Sequence, residues 1–295
     1  MSDSFQLGLA CAVTTFLLWG TADYLAARLA RRVGELRTLL GVQTAGAPVL
    51  LLAWAVIRPP WPTVSSLGWI ALAAVSFFVG YLAFFHGLRV GAISLVSPIS
   101  SGGALIPVAV GVTVMGEPLS GPRAFGIGLT LLGLVVALTD LRAVHDLDAA
   151  RRQRGAWAGV ATLLTWGSGT AFLLPAIAAA GWFAPIALIR GIIVLLIGGW
   201  AVFQLLRKTP GPRTSLWDAS SRPLIVAAAL LDLGAFFAYA IALTSIPASV
   251  AAPIASAYPI VTILLARRNL GETLTPREWT GVAVTMGGVT TLGLG

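Results

Sequence analysis

The chain has one cysteine, Cys11, and two histidines in 295 residues. A single thiol excludes a disulfide framework, and no Cys/His cluster is spaced to hold a metal. Cys11 lies inside the first apolar run and reads as a small apolar filler. Charge is as scarce: 10% of residues are charged, against about 25% in soluble domains. There is no phosphate-binding glycine loop and no loop long enough to form a soluble domain, so nothing supports an enzyme or built-in ATP drive, and no cofactor is expected. No Lys or Arg precedes the first apolar run, which argues against a cleavable signal peptide. The net charge of +8 would suggest nucleic acid in a soluble protein; here the basic residues sit between apolar runs, the pattern of membrane topology.

What is abundant is apolar. Hydrophobic residues make up 57% of the chain, and the mean hydropathy is +0.90. Ten runs approach the ~20 residues that cross hydrocarbon as helix: about 6–27, 37–57, 67–87, 92–115, 122–140, 155–180, 183–206, 223–244, 248–266 and 276–294. Lipid admits only helices or closed barrels, and these lengths are too long for strands. The expected fold is therefore all-α, a polytopic membrane protein of ten transmembrane helices.

The chain also says its long unit twice. Ser94, Pro98, Ile99, Ser101, Gly116, Glu117, Leu119, Gly126 and Gly133 recur without a gap as Ser249, Pro253, Ile254, Ser256, Gly271, Glu272, Leu274, Gly281 and Gly288, an offset of 155 (249 − 94). Earlier in each copy the offset is 147 (155 − 8): Gly8, Val13, Leu17, Trp19 and Gly20 return as Gly155, Val160, Leu164, Trp166 and Gly167. The shift falls in a loop, where insertions belong. Two five-helix repeats follow, 1–143 and 155–295, joined by a cytoplasmic linker at 144–154.

Five spans per copy is an odd number, so the second copy enters the membrane from the opposite side. The charges agree. Of the 19 Lys and Arg, one face carries only Arg58 and Arg123, Arg190 lies within a span, and the rest fall on the other face. The positive-inside rule puts the rich loops in the cytoplasm and both termini outside, in a plasma (inner) membrane. Inverted repeats suit alternating access about a site near the midplane.

The motif Ser94-Leu-Val-Ser-Pro-Ile with Gly116-Glu-Pro-Leu-Ser, its copy Ser249-Val-Ala-Ala-Pro-Ile with Gly271-Glu-Thr-Leu-Thr, and the Trp-Gly pairs of Phe16-Leu-Leu-Trp-Gly-Thr and Leu163-Leu-Thr-Trp-Gly-Ser resemble the drug/metabolite transporter superfamily, EamA-type branch. The resemblance covers essentially the whole chain. It implies a secondary transporter, such as an exporter of amino acids or other small metabolites, with spans 3, 4, 8 and 9 and the starts of spans 1 and 6 lining the cavity. Import, facilitated passage, lipid flipping and a non-transporting scaffold stay open as alternatives. One departure stands out: Asp23 has Thr170, not an acid, as its mate in the second copy.

Several residues invite a role. Trp19 and Trp166 are mates, and with Tyr81, Tyr239, Ser97, Ser101 and Ser256 they form the expected substrate site. Asp232 sits about ten residues into span 8, where a charge costs at least ~2.5 kcal/mol. It either carries protons or pairs with Arg190, whose depth differs by about 6 Å. Asp23 reads as an interfacial partner of Arg28, Arg31 and Arg32 or as a site residue one turn after Trp19. His86, at the end of span 3, is a titratable candidate. Pro98, Pro107, Pro253 and Pro259 are expected to interrupt spans 4 and 9, and Glu117 and Glu272 to cap the helices that follow. Gly126, Gly133, Gly281 and Gly288 predict close packing of spans 5 and 10, hence a monomer built of both halves. Small solutes, protons and lipid are the expected partners; nucleic acid is not.

In a Cys11→Ala background, a cysteine placed at Pro60 should react with a membrane-impermeant maleimide added outside intact cells, and one at Ala219 should react only after lysis. The reverse pattern would invert the topology.

Overall fold

In a computed structural model, residues 3–117, 119–138, 147–207, 218–271 and 275–294 are described. They fold into helices, with no strand among the described residues. In chain order these are α1 (Asp3–Val33), α2 (Glu35–Ala45), α3 (Ala47–Ile57), α4 (Val64–Val90), α5 (Ile93–Ser101), a 3-10 turn (Gly102–Ala104), α6 (Leu105–Thr113), α7 (Gly121–Leu138), α8 (Leu147–Ala180), α9 (Phe183–Leu206), α10 (Arg222–Ser245), α11 (Ala248–Ala255), α12 (Pro259–Leu270) and α13 (Pro276–Leu294).

The ten expected spans map onto these, three of them in two pieces: α2 with α3, α5 with α6, and α11 with α12. Eight spans are both long and apolar enough to cross a membrane. The other two, α7 and α13, have 18 and 19 residues and pack along each other. Large apolar side chains such as Leu51, Val56, Leu195 and Leu206 face outward, as lipid contact requires.

Boundaries differ from the sequence reading where good helix formers run on. α1 continues through Arg28, Arg31 and Arg32 and stops only at Gly34, whose φ of +88° suits glycine alone. The linker set at 144–154 is helical from Leu147 onward, because Ala, Arg and Gln extend α8. Its first three residues and Glu272 lie outside the described residues. Span 2 bends at Gly46, where Pro48 near the start of α3 cannot bond back to Thr44. Glu117 turns back, its amide donating to the Gly111 carbonyl at 2.9 Å and its carboxyl lying beside Gly111, instead of reaching forward to cap α7.

The two copies are interleaved. α1 packs along α10 and α4 along α8, so each pair takes one helix from each half. Glycine makes the approach possible, and the contacts repeat under exchange of the copies. A methyl on Gly20 would come within 2.6 Å of the Tyr258 carbonyl oxygen and overlap Val261; one on Gly167 would come within 2.6 Å of the Gly103 carbonyl oxygen and of Ile106. Gly103 and Ile106 are the sequence mates of Tyr258 and Val261 (103 + 155, 106 + 155). In the α7–α13 pair, Gly133 lies on the Thr285 backbone and Gly288 on that of Thr130, again an exchanged pair. Each threonine turns its hydroxyl onto its own helix, to the carbonyls of Gly126 and Gly281 at 2.8 Å, so neither hydroxyl is left unmet where the helices touch.

Gly133→Ala and Gly288→Ala should each cost about 1–3 kcal/mol through overpacking. Gly128→Ala, which faces open space, should cost nothing. Thermal unfolding in detergent reads the difference, and equal midpoints would refute the seam.

Candidate functional site

Where the halves meet, a cavity of about 60 Å³ opens. One water needs about 10–15 Å³, so the space suits a few waters or a small solute. α1 contributes Trp19 and Asp23, one turn apart on one face, and α8 contributes Trp166, Gly167 and Thr170, which are Trp19, Gly20 and Asp23 in the other copy. α4 supplies Phe77 and Tyr81, and α10 supplies Asp232, Phe236 and Tyr239. The broken spans complete the wall with Ser100, Ser101, Gly103, Ala104 and Pro107 from one half, and Ser256 and Tyr258 from the other.

The breaks arise from two of the four expected prolines, Pro107 and Pro259. Pro98 and Pro253 lie inside α5 and α11. The interruptions fall later, at Gly102–Ala104 and at 256–258. Pro107 and Pro259 have no N–H for the carbonyls four residues back, Gly103 and Ala255, so the chain there tightens into i to i−3 turns, such as Tyr258 N to Ala255 O at 3.3 Å.

Behind one wall lies a buried charge cluster. The Arg190 guanidinium of α9 meets Asp232, Nη2 to Oδ2 2.6 Å, and donates from Nη1 to Gln43 Oε1 at 2.6 Å. The Tyr81 hydroxyl donates to the same carboxylate at 3.2 Å, and the guanidinium lies 4.4 Å from the centre of the Phe236 ring. Arg190 is 4% and Asp232 6% exposed. Of the two readings of Asp232, the structure forms the pair. At this depth each charge would cost several kcal/mol alone, so four helices, α2, α4, α9 and α10, are tied together by what each ion needs. Asp23 differs. It is 8% exposed, set in the cavity wall instead of the arginine-rich interface, and its Oδ2 has no hydrogen-bond partner among the described residues.

The sequence profile of the EamA-like transporter family matches residues 6–139 and 153–294, nearly the whole chain in two copies. The chain belongs to the EamA-like transporter family. It is a multi-pass membrane transporter of small solutes. No curated protein matches the sequence. A solved crystal structure is similar over 97% of this chain and 96% of that one, with 19% identity and a TM-score of 0.68, which supports the fold.

In this EamA-like transporter the sequence candidates fall into three groups. Trp19, Trp166, Tyr81, Tyr239, Ser101, Ser256, Asp23 and Asp232 come together around the cavity. Trp19 packs against Phe236 and Tyr239 with ring centres 5.2 Å apart, and Trp166 against Phe84 at 4.7 Å. Arg190 stands one layer back. Ser97 is fully buried away from the cavity, and its carbonyl accepts from Tyr258 OH at 3.5 Å. The Ser100 and Ser101 hydroxyls donate to the carbonyls of Val96 and Pro98 at 2.9 and 2.7 Å. His86 is not brought in: it is 44% exposed at the end of α4, 3.6 Å from Glu35, which also holds Arg89 at 2.8 Å.

Sequence reasoning missed Gln43 and Tyr258. Gln43 is a lone polar residue in an apolar run. Tyr258 stands where the first copy has Gly103, an asymmetry inside an otherwise close match. Arg190→Met should destabilise the protein by about 3–5 kcal/mol, because it strands a buried carboxylate, and Asp232→Asn in the same chain should recover most of that. Equal unfolding midpoints for the single and double variants would show that the pair carries no such weight.

Proposed function

We propose that the protein exports small metabolites such as amino acids from the cytoplasm across the inner membrane. It works by alternating access, as a monomer, with both termini outside. The observation that supports this best is that the two inverted halves furnish one cavity between them, from equivalent helices. A rocking of 1–138 against 147–294 then exposes the same wall to either side in turn. The interleaved pairs α1–α10 and α4–α8 make each half grip the other, so the motion is a sliding of packed helices, not a separation. The free space limits the solute to a small one, and the indole and phenol faces favour a solute with an apolar body. Energy comes from a gradient or from exchange.

Trp166 is held by packing on Gly80. A methyl there would overlap the indole Cδ1 and stand 2.5 Å from Nε1. Purified protein in proteoliposomes loaded with a mixed metabolite pool should deplete one solute class in counterflow, read by mass spectrometry. Gly80→Ala should cut that flux by about tenfold or more while leaving the protein folded, since shifts of this size misplace a lining group. Labelled lipid crossing the bilayer while no solute moves would replace this reading with a flippase.

A further inference from the structure

Asp23 is a buried carboxylate whose Oδ2 has no hydrogen-bond partner among the described residues. Three nearby donors are turned elsewhere: Tyr81 OH to Asp232, Tyr258 OH to the Ser97 carbonyl, and Arg190 to Asp232 and Gln43. The neighbourhood therefore holds two carboxylates against one guanidinium, in a region where an unmatched charge is costly.

Its position is as telling as its chemistry. A second, smaller cavity of about 10 Å³ is lined by Ala22, Ala26, Val42, Phe85 and Ala228. Asp23, Tyr81 and Asp232 line both cavities and so form the partition between them. Along α1 the order is Trp19, Asp23, Ala26, so the main cavity lies on the side of the termini and the small one on the arginine-rich side. Asp23 thus borders both cavities, one on each side of it along α1.

We propose that Asp23 is the docking carboxylate for a solute that carries an ammonium group on an apolar body. This rests on the transport reading and narrows its substrate class to amines, amino acids included. The ammonium brings the missing charge and the donor that Oδ2 lacks. Trp19, one turn away with Tyr258 at 6.2 Å between ring centres, offers flat faces to the cation and to its apolar part. A metal ion fits poorly, since a hard cation wants about six oxygens and no group of three or more His, Cys, Asp or Glu exists among the described residues. An anionic solute would meet two carboxylates.

The test is equilibrium binding of radiolabelled 2-phenylethylamine to the purified full-length protein, with 2-phenylethanol and 3-phenylpropionate as competitors of similar shape. The wild type should bind the amine and be competed weakly by the alcohol and the acid. Asp23→Asn should weaken the amine by about ten- to a hundredfold, the worth of a charge-assisted hydrogen bond, and Asp23→Glu should keep much of the affinity. Elution profile and unfolding midpoint control for folding. Should both variants misfold, the amine-over-alcohol preference of the wild type still decides. Equal binding of amine and alcohol, or an unaffected Asp23→Asn, overturns the site. The same proteoliposomes separate the two claims. Counterflow of neutral or acidic solutes with no amine binding removes the ammonium site and leaves transport standing; amine binding with no counterflow of any solute removes transport.

Discussion

Two helix backbones can touch only where one of them gives up its side chain, and the architecture depends on that constraint being met in matched places. Gly20 on Tyr258 and Val261, Gly167 on Gly103 and Ile106, Gly133 on Thr285, and Gly288 on Thr130 are the points at which one copy enters the other. In lipid there is little hydrophobic gain in bringing helices together, so close van der Waals contact has to supply the cohesion. Since the contacts come as exchanged pairs, neither half presents a finished surface of its own. The cavity exists because the small residues hold α1, α4, α8 and α10 close while the broken spans between them cannot fill the centre.

The second layer of organisation is charge in a medium that tolerates little of it. Arg190, Asp232, Gln43 and Tyr81 come from α9, α10, α2 and α4, and their contacts hold these helices around one point. Such a cluster is weak as a source of net stability, because desolvation offsets most of the attraction. Its contribution is to fix which helices meet and how. Asp232 and Tyr81 of this cluster also form part of the cavity wall, so a change of shape in the cavity acts directly on a buried ion pair.

Much of this was legible in the sequence because it rests on covalent order. The duplication, the inversion and the ten spans follow from offsets, run lengths and the sides on which Arg residues fall. Trp19, Trp166, Tyr81 and Tyr239 could be named as a group from the resemblance and their shared spacing. What escaped depends on rotation about helix axes. Whether Asp23 faces arginines at the interface or the cavity, and whether His86 points inward or to Glu35, is a matter of tens of degrees that an apolar run with little periodicity leaves unspecified. Gln43 escaped because a single amide in an apolar segment has no partner until the fold brings Arg190 beside it. Of the two prolines expected to interrupt each broken span, the sequence left open which one makes the break; it lies where the carbonyls freed by Pro107 and Pro259 fall.

The repeat is close in its framework and unequal in its lining. Tyr258 faces Gly103 across the pseudo-symmetry, and Asp23 faces Thr170. In a molecule made of two identical inverted copies, swapping their roles turns the outward form into the inward form, and the two have the same free energy in a symmetric bilayer. A phenol opposite a hydrogen atom and a carboxylate opposite a hydroxyl remove that degeneracy. Under the proposed alternating access, the two empty forms would then differ in free energy and one of them would be favoured at rest.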